Sequence, residues 1–242
     1  MDITSYLLGK KSSGGGGGGS DLDWSAIGYS SRPQSINDGY NYAVQIMNNW
    51  DATSTMESKF LRDTNLMFMP SVDISKTSAL NNMFQYCNAL IQVADLDYSN
   101  ATYLDNIFAG CNQLKSISNF NTNGRLNYSF DSCSKLETIQ GNLKPTGLRS
   151  AFNNCTSLKN IPLIDGSNIS GSSSLQGTFT NCPSLTDTSL DNILQMCISA
   201  TSYTSTKTLA RLGFTSANYP TTKIQALPHY QAFVDAGWTI GY

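Results

Sequence analysis

Charge is scarce in this 242-residue chain. Asp, Glu, Lys and Arg together make up 13 % of it, glutamate occurs only at Glu57 and Glu137, and histidine only at His229. Fifteen basic residues against seventeen acidic ones leave a net charge of −2, and the basic residues are scattered. A nucleic-acid partner needs a concentrated basic face to neutralise phosphates, so none is expected. No apolar run approaches the roughly 18 to 20 residues that cross a bilayer, so membrane insertion is not expected either. The opening MDITSYLL lacks the basic region and the apolar length of a secretory signal. The motifs of common chemistries are missing too. There is no Gly-x-Ser-x-Gly, no His-Glu-x2-His and no Cys-x2-Cys, and the glycine tract lacks the Lys-Ser/Thr ending of a phosphate loop. Asp95 and Asp97 are paired carboxylates, but they fall at a strand end where Asp commonly makes turns. The chain is therefore read as a non-enzyme with no cofactor and no metal. What replaces charge is hydroxyl and amide, a composition usual for extracellular or particle surfaces. With no export signal read, the composition fits a protein that leaves the cell without the secretion machinery, for example inside a virus released by lysis.

The strongest positive signal is self-similarity. LNNMFQYCNALIQV from Leu80 recurs as LDNIFAGCNQLKSI from Leu104, LNYSFDSCSKLETI from Leu126, LRSAFNNCTSLKNI from Leu148 and LQGTFTNCPSLTDT from Leu175. Phe84, Phe108, Phe130, Phe152 and Phe179 are 24, 22, 22 and 27 residues apart. A degenerate first copy places Met56, Phe60, Asp63, Leu66 and Met69 in the same slots. One such unit cannot bury its own apolar face, whereas stacked units merge equivalent slots into continuous columns. The expected fold class is an α/β repeat solenoid of about six rungs over 56–188. Its short parallel strands come from the Leu-x2-Ile segment, and helical caps close both ends.

Leu-x3-Phe-x2-Cys-x2-Leu-x2-Ile resembles the BspA-like leucine-rich repeats found in bacterial surface adhesins and in many phage and prophage proteins. The resemblance implies a curved solenoid and a binding role. The five extra residues before Phe179 depart from a regular repeat. The candidate binding face is the outward side of the strand segment, represented by Phe68, Ile91, Gln92, Lys115, Glu137 and Lys159. Met67, Ser116, Thr138 and Asn160 lie beside them. Five cysteines share one repeat slot and Cys197 lies on a cap helix, so all six are read as buried packing thiols.

The N-terminal cap is assigned to 21–55, with Ser35 as helix cap and Ile36, Tyr40, Val44 and Met47 along one face. The C-terminal cap is assigned to 189–242. It has Leu190, Ile193, Leu194, Cys197 and Ile198 at helical spacing, then a helix from Pro228 to Gly237, then an alternating strand of Trp238, Ile240 and Tyr242. His229 is read as a cap or surface residue.

Ahead of all this, residues 1–11 read as a short amphipathic peptide with Ile3, Tyr6 and Leu7 on one face. It is too short to persist as a helix without a partner groove. Ser12 to Ser20, with six consecutive glycines, reads as a flexible linker. MDITSYLLGKK followed by glycines also resembles the N-termini of some phage structural proteins. A frayed end or an expression scar is the competing reading. The resulting expectation is a phage virion structural protein, present in multiple copies and attached to other virion proteins by its N-terminal peptide. Its solenoid would be displayed to a host-surface protein or glycan. The rival readings are a purely structural decoration or connector protein and a bacterial cell-surface adhesin.

Overall fold

The computed structural model describes residues 34–51 and 56–242. The anchor residues Ile3, Tyr6 and Leu7 and the glycine linker lie outside the described residues. Helix α1 (Gln34–Asn48) is followed by four two-residue strands, one for each successive repeat unit: β1 (Phe68–Met69), β2 (Gln92–Val93), β3 (Ser116–Ile117) and β4 (Thr138–Ile139). Helices α2 (Asp187–Ser199), α3 (Thr221–Gln225) and α4 (Tyr230–Asp235) complete the chain. The strands pair in parallel, Phe68 opposite Gln92 and Ser116 opposite Thr138, in two separate sheets. A bridge from Thr138 to Asn160 carries the strand row into the fifth unit. Two further rows of parallel bridges join Ala79, Tyr103 and Arg125, and Thr122, Leu143 and Ile164.

Most backbone bonding between units comes from the Leu-x3-Phe-x2-Cys segment, whose amides alternate in direction. The N–H groups of Leu80, Asn82, Phe84 and Tyr86 donate forward to the carbonyls of Tyr103, Asp105, Ile107 and Ala109 at 2.7 to 3.0 Å. Those of Met83, Gln85 and Cys87 close turns onto Leu80, Asn82 and Phe84 within the unit. These bonds pair the buried amides of Leu80, Met83, Phe84 and Cys87, as a dry interior demands. The first and third of these turns place a positive φ at their third residue, the type II geometry, at Asn82 (58°) and Tyr86 (61°). The same two positions recur as Asn106 and Gly110, Tyr128 and Ser132, and Ser150 and Asn154.

The side chains between these ladders form the core. Leu80, Leu104, Leu126 and Leu148 are fully buried, as are the cysteines and second leucines of their units. The rings of Phe60, Phe84, Phe108, Phe130, Phe152 and Phe179 stack in one column, 5.2 to 5.6 Å apart and within 19° of parallel. Each buried side chain of this size stabilises by about 1.5 to 3 kcal/mol before entropy is counted. Phe214 ends the column edge-on, at 5.9 Å and 70°.

At the N-terminal side, α1 starts at Gln34, so Ser35 is its second residue rather than its cap. Its buried face is Gly39, Tyr40, Ala43 and Ile46, with Val44 half-buried. This face is rotated from the expected one because the helix sits directly on the first unit. A Cβ on Gly39 would lie 2.9 Å from the Met67 side chain, and Tyr40 stacks on Phe68 at 4.8 Å. The side chains of Ile36 and Met47 lie outside the described residues.

At the other end, Thr186 caps α2 by accepting from the Ser189 N–H. Leu190, Ile193, Leu194 and Cys197 are buried there and Ile198 is half-buried. The chain then returns so that the carbonyls of Arg211 and Leu212 accept from the N–H groups of Gly177 and Phe179, the place a further unit would take. Helix α4 begins at Tyr230, two residues after Pro228, and Gly237 follows it at φ 83°. Trp238 is buried, Thr239 bridges in parallel to Thr208, and Tyr242 is 43 % exposed. No described helix is long and apolar enough to cross a membrane.

Candidate functional site

Parallel pairing in register brings the outward side chains of the strand segment into rows. The backbone N–H of Glu137 donates to the Lys115 carbonyl and that of Lys159 to the Glu137 carbonyl, so Lys115, Glu137 and Lys159 form one row. Ile91 begins a second stretch of it, its N–H donating to the Met67 carbonyl. Gln92, Ser116, Thr138 and Asn160 occupy the adjacent positions. Asn160 Nδ2 donates to Thr138 Oγ1 at 3.3 Å. Lys159 Nζ is 2.9 Å from Glu137 Oε2, and this hydrogen-bonded cation holds the Glu137 carboxyl below its ordinary range. Ile91, Gln92, Lys115 and Glu137 are half-buried and Lys159 is exposed.

Phe68 does not belong to this face. It is 1 % exposed, covered by α1 and stacked on Tyr40. The strand position that points outward in later units is roofed by the helix in the first. What remains is a row of amides and hydroxyls with charges of both signs, suited to hydrogen bonding across a surface.

The six cysteines are free and buried. Five of them do more than fill space. The thiols of Cys87, Cys111, Cys133 and Cys155 each donate to the carbonyl of the preceding unit's phenylalanine at 3.0 Å, and Cys182 does so at 2.9 Å. Burial pushes all six pKa values up, Cys87 and Cys182 to about 12. A nucleophilic cysteine needs the opposite shift.

His229 ties the C-terminal helices together. Its Nδ1 lies 2.7 Å from Asp191 Oδ2 and its backbone N–H donates to Asp191 Oδ1. Asp97 accepts from the Ser99 N–H in a turn, and Asp95 from the Ser118 hydroxyl. Among the described residues no group of three or more His, Cys, Asp or Glu side chains is placed to hold a metal ion.

Three features carried no sequence signal that spacing alone could detect. Asp63, in the cysteine slot of the first unit, accepts from Tyr42 Oη at 2.6 Å and from the N–H groups of Asn65 and Leu66. That hydrogen bond, added to burial, raises Tyr42 to about 12. A polar column runs beside the leucines: Asn81 Nδ2 donates to Glu57, the Asp105 N–H to Asn81 Oδ1, and the Asn127 N–H to Asp105 Oδ1. Arg125 packs over the exposed Tyr103 ring at 5.5 Å while its guanidinium holds Asp105. No protein-family model matches this chain, and neither a curated protein nor a solved structure is significantly similar to it.

Proposed function

We propose that the stacked units form a leucine-rich-repeat solenoid of the BspA-like kind, and that the protein is a non-enzymatic structural component of a phage virion. In this reading the solenoid is displayed for binding to a host-surface protein or glycan, and residues 1–11 attach it to other virion proteins. The observation that carries the display role is the row Lys115, Glu137 and Lys159 with Ser116, Thr138 and Asn160 beside it. These side chains are fixed at strand spacing by consecutive backbone bonds. A rigid row spends little entropy when a partner docks. The virion setting rests on the resemblance of the repeat and of the N-terminal stretch to phage proteins.

Immunoelectron microscopy of purified particles, with antibody raised against the full chain, tests the setting. Labelling at regular positions is expected, and unlabelled intact particles would overturn it. Binding of the labelled full-length protein to host cells, compared with a Lys115→Ala, Lys159→Ala variant, tests the face. Equal binding by both would remove that face from recognition.

A further inference from the structure

The C-terminal end of the stack holds a second feature, away from the strand row. A shallow, open cavity of about 470 Å³ lies between the last repeat turn, at Gln176, Gly177 and Thr180, and the returning segment, at Thr206, Thr208 and Arg211. Its size falls in the roughly 300 to 1,000 Å³ range of small-molecule sites. Its lining combines threonine hydroxyls, the Gln176 carboxamide and the Arg211 cation with the apolar surface of Gly177, Ala210 and Gly213.

Arg211 is held from behind by neutral groups. Its Nε donates to Tyr203 Oη at 3.1 Å and its Nη2 to the Ser172 carbonyl at 2.8 Å, while Nη1 makes no hydrogen bond to the described residues. Among the described residues no carboxylate pairs with Arg211 and no acidic side chain lines the cavity. The nearby Lys207 is treated alike, its Nζ donating to the Ala236 carbonyl. A fixed guanidinium with a free edge and no counter-ion complements a planar anion. The hydroxyls of Thr180 and Thr206 and the Gln176 carboxamide donate no hydrogen bond to the described residues, so each is available to a ligand hydroxyl. Gly213 holds the returning segment close, since a Cβ there would lie 2.6 Å from the Thr180 backbone.

We propose that this cavity binds the carboxylate-bearing sugar of an acidic glycan, a uronic or sialic acid residue. Arg211 takes the carboxylate, and Gln176, Thr180 and Thr206 take the ring hydroxyls. The site is distinct from the strand row and does not depend on that row's role. A simple carboxylate would satisfy Arg211 alone, and only a polyol also uses the hydroxyl wall.

The test is calorimetric titration of the full chain with 3′-sialyllactose, digalacturonic acid, lactose and triglycine. Saturable binding of at least one acidic sugar is expected, with lactose and triglycine weaker by about tenfold or more, the order for losing one charge-assisted contact. Arg211→Gln removes that preference. Because Arg211 also braces Tyr203, the double variant Gln176→Ala, Thr206→Val is measured beside it; both side chains are exposed, and the variant weakens the acidic sugar several-fold. Three results would each overturn the proposal: no binding of either acidic sugar, triglycine binding as tightly as they do, or unchanged affinity in the double variant.

Discussion

At the residue scale the cysteine slot is defined by reach as much as by size. The Cys133 thiol is fully buried and spans the gap between units to the Phe108 carbonyl at 3.0 Å. That carbonyl also accepts from the Cys111 N–H, so removing the thiol does not orphan it. Cys133→Ala is therefore expected to lower stability by only about 1 to 2 kcal/mol, through a small cavity. Cys133→Ser keeps a donor but carries it on a shorter bond, so the hydroxyl falls short of the carbonyl unless the units close up. A buried, underpaired hydroxyl costs about 1 to 3 kcal/mol, so serine is expected to be the worse substitute in urea unfolding. A serine variant as stable as wild type would mean that any donor serves and that the units adjust. The exception to the slot follows the same logic. No unit precedes Asp63 among the described residues, and its carboxylate serves Tyr42 and two local amides instead.

At the element scale, the recurring turn of the Leu-x3-Phe-x2-Cys segment stores backbone strain at two positions per unit. Gly110 occupies one of them at φ 77°, and a Cβ there would lie 2.4 Å from the Tyr86 ring of the preceding unit. The Arg62 guanidinium lies 5.6 Å from the centroid of that ring, and the Tyr86 side chain is otherwise exposed. Gly110→Ala is thus expected to cost the left-handed penalty of about 1 to 2 kcal/mol and, in addition, the displacement of Tyr86. In a Tyr86→Ala background only the backbone penalty should remain. Equal costs in the two backgrounds, measured by a double-mutant cycle, would show that the ring does not rest on Gly110.

Such turns are only half legible in the sequence. Asn82, Asn106 and Gly110 announce a positive φ through their side chains, while Tyr86 and Tyr128 give no hint, because the inter-unit bonds override their preference. The buried columns are legible because spacing alone places Leu80, Phe84, Cys87 and Leu90 on one side. The same spacing misplaces Phe68, since it carries no information about the helix that roofs it. Within the C-terminal cap, the α2 face is read correctly from its period. The return of 209–213 to the last unit, and with it the Arg211 cavity, depends on long-range packing that no local pattern encodes.

At the scale of the whole molecule the thiols act together, because folding keeps all six neutral. An isolated cysteine titrates near 9.0, and burial raises every one of these above that value. A group whose pKa rises on folding contributes fully below its unfolded value and loses that contribution as pH climbs past it. Above pH 9 the unfolded chain sheds protons that the native chain retains, so native stability falls with each further unit. The slope is about 1.4 kcal/mol per pH unit for each thiol, or about 8 kcal/mol for six, against a total stability of about 5 to 15 kcal/mol for a typical domain. Tyr42 and Tyr219, both raised to about 12, add to the slope once the pH passes the ordinary tyrosine value of 10.0. Urea midpoints taken in reductant are therefore expected to stay level from pH 7 to 8 and then drop steeply, with cooperative loss of the fold within about two units above pH 9. Cys133→Ala should start from a lower plateau yet fall less steeply, by the share of one thiol in six. A native state as stable at pH 10.5 as at pH 7 would mean that the thiols ionise in place, against the full burial of all six cysteine side chains.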